Sequence, residues 1–296
     1  MWDLLLVGAR LLQLAGALVL LGSSLFQLYG LPGPASPAAR WPVRLLLASA
    51  CMAMLGTFLW VMAETVLFSG DPADGTNPAA VWLVFSETRF GRACLLRMGL
   101  LLAAIAVSCL MRRAQVHWVL QSLIAGVIVA TFAWTGHGAA SPGWPGMLHL
   151  GGDLLHLWTA GIWLGALLPL AILAVNARAT GSAADIATLS QALRRFSGIG
   201  TAVVAVLVLS GLVNTWFTVG IENAAASART AYGMTLLLKL GLFLLMLMLA
   251  VANRCWLAPR LQVRGLQLSI LTEAGLGMLL LLAVSLLGTL PPPSSG

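Results

Sequence analysis

His149-Leu-Gly-Gly-Asp153-Leu-Leu-His156, continued by the apolar run from Leu157 to Val175, is the stretch on which the fold turns. Two imidazoles and a carboxylate recur at i, i+4 and i+7, a spacing that puts all three on one face of an α-helix. The run behind them is long enough to cross a bilayer. Ionisable groups in the first turns of a membrane helix are costly in hydrocarbon, so the face they share must look toward a bundle interior, a partner or a wet cavity.

The rest of the chain is of the same kind. Of 296 residues, 60% are hydrophobic and only 8% charged, and the mean hydropathy is +0.96, which excludes an ordinary soluble protein. Apolar spans fall at Leu4–Leu28, Val43–Phe68, Cys94–Met111, Val116–Trp134, Leu148–Val175, Phe196–Val219, Ala231–Ala252 and Leu266–Leu287. The pattern predicts an all-α integral membrane protein, a bundle of eight transmembrane helices. Proline- and glycine-rich breaks separate them at Leu31–Pro37, Asp71–Pro78, Gly138–Pro145 and Pro259, and the polar stretch Ala177–Gln191 reads as a linker. No polar block is long enough for a soluble domain, so residues 1–296 read as a single polytopic membrane domain. Leu4–Leu28 is too long for a signal-peptide core and lacks a basic start, so it reads as a retained span. Cys51, Cys94, Cys109 and Cys255 show no CxxC spacing and read as helix-packing residues rather than a disulfide or zinc framework.

Basic residues give an orientation. Arg40, Arg44, Arg112, Arg113, Arg178, Arg194, Arg195, Arg254, Arg260 and Arg264 all fall in or beside the first, third, fifth and seventh loops. The other side has Arg89, Arg92 and Arg229 with Asp71, Asp74, Glu87 and Glu222. By the positive-inside rule the odd loops are cytoplasmic and both termini are on the periplasmic side. The same rule explains the net charge of +7 without nucleic acid. His149 then opens outward, with His156 roughly 10 Å deeper. Arg10, Glu64, Arg97 and Lys239 lie in the outer halves of their spans, suggesting an outward-facing polar cavity; Glu273 alone lies in an inner half.

Imidazole and carboxylate suit several divalent ions, with copper(II) at the top of the affinity order, while thioether and thiolate select copper(I). His137, in a loop able to fold back over the helix, joins His149, Asp153 and His156 as candidate metal ligands, against hydrogen-bonded packing or a proton relay as the alternative. Met62 and Met147, near the outer boundary, and Glu64 are secondary candidates. His117 is at the far end of its span and reads as interfacial. Trp118, Trp134, Trp144, Trp158, Trp163 and Trp216 fit aromatic belts at the two interfaces. No phosphate loop, GxSxG motif or hydrolase carboxylate pair supports enzymatic turnover.

Phe85-Ser-Glu-Thr-Arg-Phe-Gly91, Gly136-His137, the His149–His156 stretch with Thr159-Ala-Gly-Ile-Trp163-Leu-Gly165, and Arg195-Phe-Ser197 occur in this order. Ser210-Gly211, Thr230-Ala-Tyr-Gly233 through Lys239, Ala252-Asn-Arg254, Pro259 and Thr289-Leu-Pro-Pro292 follow. In this series, covering nearly the whole chain and densest over 85–293, the sequence resembles the CopD family of copper-resistance membrane proteins. The resemblance implies a multi-pass protein of the bacterial inner (plasma) membrane that moves copper from periplasm to cytoplasm or otherwise handles it there. It also implies His137, His149, Asp153 and His156 as the ion's ligands, and a separate CopC-like periplasmic copper-binding partner. The oxidation state of the copper ion stays open. Two other readings remain: a bis-histidine haem electron carrier, which two histidines on one helix disfavour, and a non-transporting membrane partner or sensor for a periplasmic copper chaperone.

Overall fold

The computed structural model describes residues 2–31, 41–111, 115–135, 143–220 and 228–291. Among these the chain forms nine α-helices and no strands: α1 (Trp2–Tyr29), α2 (Trp41–Ser69), α3 (Pro78–Glu87), α4 (Arg89–Leu110), α5 (Gln115–Ala130), α6 (Gly143–Thr180), α7 (Ala183–Val219), α8 (Ala231–Ala252) and α9 (Val263–Leu287). All but α3 are long and apolar enough to cross a membrane, and each coincides with an expected span. The protein is a multi-pass helical membrane protein.

Two local features depart from expectation. The polar stretch 177–191 is helical almost throughout, because its alanines favour helix and only Gly181, at φ +60°, breaks it. Ser182 then caps α7 by accepting from the Asp185 amide at 3.3 Å. The extra helix α3 meets α4 at a corner made by Thr88, whose hydroxyl donates to the Val84 carbonyl (2.7 Å) and accepts from the Gly91 amide (2.8 Å). A Cβ at Gly91 would lie 2.0 Å from the Val84 oxygen, so the Phe85–Gly91 motif has a structural origin.

Helix α1 is the hub, packed against α2, α5, α6 and α9. It crosses α6 where Gly22 faces Gly161 and Gly165; a Cβ on Gly22 would come within 2.2 Å of the Gly161 oxygen. Ser23 donates to the Gly165 carbonyl at 3.1 Å across this contact. Small residues are what allow two membrane helices to approach so closely. Helix α7 lies along α6, and α8 packs on α9 and continues into a π-helical turn, Asn253–Leu257. Helices α7 and α8 make no extensive contact with each other, which leaves a seam between them.

The charges in the outer halves of the spans form two groups rather than one cavity. In the first, Arg97 is fully buried, and its guanidinium donates to Gln13 Oε1 (2.6 Å), Thr131 Oγ1 (2.7 Å) and Thr135 Oγ1 (3.3 Å) while lying 3.8 Å from the Phe132 ring centroid. Arg10 sits 5.0 Å from the Trp60 ring centroid, and the Trp60 indole donates to Glu64 at 3.0 Å. Glu64 is thus tied to Trp60 and to the field of Arg10. Lys239 belongs to the second group, on α8. Other details emerge: His117 and Trp118, in the first turn of α5, are buried against neighbouring helices, Trp163 is buried inside the bundle rather than in an aromatic belt, and of the four unpaired cysteines only Cys94 is buried.

Candidate functional site

The stripe predicted on α6 faces α7. His149 is 4% exposed, its ring stacked on Phe217 of α7 with centroids 4.8 Å apart and planes 13° from parallel. One turn on, Asp153 brings Oδ2 to 4.0 Å from His149 Nε2. That contact is the only ion-pair distance among the described residues. Lys239 and Tyr232, both on α8, lie within electrostatic reach of Asp153.

His156 occupies a second level. Its Nδ1 stands 3.1 Å from Ser210 Oγ on α7, and Ser210 Oγ is 2.6 Å from the Val206 carbonyl. A hydroxyl has one proton, and the shorter contact takes it. Ser210 accepts from His156 Nδ1 when that nitrogen carries the ring proton, and the Leu207 carbonyl also lies within hydrogen-bond reach of the ring. This is the arrangement by which an outer hydrogen bond orients an imidazole for a metal. Gly211, next along α7, borders the ring: a Cβ there would make an ordinary contact, 3.4 Å from His156 Cε1.

Between the two levels lies Asn214 of α7, whose Oδ1 is buried without a hydrogen-bond partner. Its position is fixed by Gly152, where a Cβ would meet that oxygen at 3.0 Å. A buried acceptor left without a donor asks for a cation, a water or a ligand. Sequence reasoning missed Asn214 and Phe217 and gave Ser210 no role beyond its place in the resemblance, since no spacing on α7 marks them as partners of α6. Trp163 was misassigned for the same reason.

Among the described residues no three His, Cys, Asp or Glu side chains come close enough to enclose a metal ion. His149 and Asp153 share one level and His156 another, so the face is a ladder of partial sites rather than a cage. His137 lies outside the described residues. Met147 is 66% exposed and lines an apolar crevice, Met62 sits on α2, and Glu64 belongs to the Arg10 group. His117 is buried on α5, beside the Val107 carbonyl.

Comparison with known proteins adds to this geometry. Residues 1–147 match the family model described as copper resistance protein D-like, N-terminal domain, and residues 190–287 match that of copper resistance protein D. The His149–His156 stretch falls between the two matched regions. The chain is 34% identical to copper resistance protein D of Pseudomonas syringae pv. tomato, over 99% of this chain and 98% of that protein. It is 27% identical to copper transport protein CutJ of Bacillus subtilis (strain 168), over 92% of this chain but 50% of that protein, so it spans about half of that relative. Inner membrane protein YebZ of Escherichia coli (strain K12) is 28% identical over 72% of each chain. No solved structure matches. With both family models matched and a relative aligned over nearly its full length, the chain belongs to the copper resistance protein D family.

Proposed function

We propose that the protein carries copper ions across the bacterial inner membrane, from the periplasmic side toward the cytoplasm. His149 and Asp153 take up the ion and His156 receives it roughly 10 Å deeper along α6. The observation that carries this reading is the pair of levels on one helix face. An imidazole beside a carboxylate is followed, one level deeper, by an imidazole held against Ser210. Family membership supports copper as the cargo. Imidazole and carboxylate favour copper(II) at the mouth, since a copper(I) route leans on sulfur donors.

Lys239 gives the site a means of letting go. Its ammonium lies in the field of both Asp153 and His156, so it balances the carboxylate when no metal is bound and competes with the metal when one is. Asn214 Oδ1, between the levels, offers the ion a transient oxygen. A separate periplasmic copper-binding protein of the CopC type is the expected donor, and the basic loops set the orientation with both termini outside.

The test is the copper content of purified protein and copper uptake into sealed vesicles, for wild type and for His149→Ala, Asp153→Ala and His156→Ala. Each substitution lowers binding and uptake together. Wild-type binding in all three variants refutes the site. Binding without uptake by the wild type turns the protein into a membrane partner of a copper chaperone, and a Soret band in the purified protein favours haem.

A further inference from the structure

The same seam has a second polar site at its other end. Trp163 follows His149 on α6 by fourteen residues, about 21 Å of helix rise. There a cavity of about 740 Å³ opens between α6, α7, α8 and α9. Its walls are mostly apolar, and one carboxylate faces it. Glu273 of α9, 2% exposed, accepts from the Trp163 indole at 2.8 Å through Oε1 and from Asn253 Nδ2 at 3.2 Å through Oε2. Asn253, 8% exposed, has its amide oxygen turned away from the carboxylate and left without a partner.

The charged groups lining the cavity are Glu273, Arg194 of α7 and Arg254 of the π-helical turn. Neither arginine meets the acid: Arg194 donates to Ser190 at 2.9 Å and Arg254 to the Thr201 hydroxyl. Helix α6 presents Trp163 and no titratable group. A buried carboxylate with neutral donors alone offsets its burial by taking a proton or a cation. The oxygens open to a guest are few, namely the remaining lone pairs of one carboxylate and a single amide oxygen. These hard donors do not suit copper(I), and they fall short of the six or more oxygens that a hard metal ion collects. A proton needs one.

We propose that Glu273 is a proton-exchanging acid, loaded and unloaded by water entering through the arginine-lined end of the cavity, beside Asn253. Each cycle forms and breaks one carboxyl O–H bond, with water or hydronium as the other party. Placed on the seam that holds His149 and His156, this acid supplies the proton that moves against the ion. That last coupling rests on the transport reading above; the exchange itself does not.

Infrared difference spectra of the full-length protein in lipid bilayers, perfused alternately at about pH 5 and about pH 9, test the exchange. A reversible carboxylic C=O band is expected, shifting when D2O replaces H2O. It is lost in Glu273→Gln, kept in Asp153→Asn and altered in Asn253→Leu. Gln keeps an acceptor for Trp163, and Asn253→Leu tests the same band with the acid in place. The proposal is overturned if Glu273→Gln leaves every pH-dependent carboxyl band intact, if the missing band does not respond to pH, or if Asn253→Leu leaves it unchanged. Vesicles holding a pH-sensitive dye then test coupling. Copper entry in the wild type shifts internal pH, and Glu273→Gln loses that shift while keeping copper bound at His149. Copper entry without a pH shift ends the coupling; no copper entry ends the transport reading and leaves the infrared result to decide the acid.

Discussion

Ser210→Ala is the most informative single change at the His156 level. The hydroxyl spends its proton on the Val206 carbonyl at 2.6 Å and accepts from His156 Nδ1 at 3.1 Å. Alanine leaves the backbone of α7 intact and removes only the acceptor. The imidazole is left with a half-buried N–H facing α7, a loss of about 1–3 kcal/mol if nothing else changes. The ring relieves it by moving its proton to the other nitrogen or by turning, and either response takes the imidazole out of its ligating orientation. Copper affinity should fall by about 10- to 100-fold, the usual effect of losing a hydrogen bond that orients a metal-ligating histidine, or about 1.4–2.7 kcal/mol. Chelator-competition titration reads the affinity, and nitrogen-15 NMR of labelled histidines reads the tautomer. Ser210→Thr restores both. Gly211→Ala, whose new methyl would touch the ring at an ordinary 3.4 Å, leaves both unchanged. An affinity within twofold of wild type in Ser210→Ala, with an unchanged tautomer, refutes the assignment.

Lys239→Met removes the competing cation and should tighten copper binding; unchanged affinity in the same titration contradicts the competition. Acidification should weaken binding, because a protonated imidazole cannot coordinate. Copper binding and uptake that stay flat on acidification contradict histidine ligation. Gly22→Ala should force α1 and α6 apart and lower stability by about 1–3 kcal/mol, seen as a lower thermal midpoint. Gly99→Ala, with nothing within 4 Å of the new methyl, should not, and equal shifts refute the close crossing. Replacing Arg97 by Gln should lower the midpoint by breaking contacts to Gln13, Thr131 and Thr135, yet leave copper stoichiometry as it was.

Hydropathy and helix-breaking residues made the eight spans legible, since the length of an apolar run answers directly to bilayer thickness. The α6 face was legible too, because i, i+4, i+7 spacing is a property of one helix. What one helix presents to another was not. Ser210, Asn214 and Phe217 are ordinary residues on α7 until α6 is laid beside them, and Lys239 could have paired with either carboxylate until α8 placed it by Asp153 rather than Glu64. Trp163 looks like an interfacial tryptophan by composition, but its partner, Glu273, lies 110 residues away. The stretch 177–191 was misread because polarity suggested a loop, whereas alanine content governs whether a backbone already helical on both sides continues.

The incompleteness of the metal face fits its proposed task. A closed set of four ligands such as a structural zinc site holds its ion by about 10–16 kcal/mol, which at a transport site would mean capture without release. Two open levels about 10 Å apart avoid that trap, but the spacing exceeds any single exchange between ligands, so something must move as the ion passes. The half of the bundle built on α1, α2, α4 and α5 is a poor candidate, because Arg97 locks three of its helices through hydrogen bonds to Gln13, Thr131 and Thr135. The other half is better suited. Only 11% of the membrane window of α7 and 17% of that of α8 are buried, against 61% for α6, and the two meet across a seam rather than a packed interface. A tilt of α7 would carry Ser210, Asn214 and Phe217 together past a stationary His149 and His156. One rigid-body motion would then release the stacked ring at the mouth and present the Asn214 oxygen in the gap between the two levels.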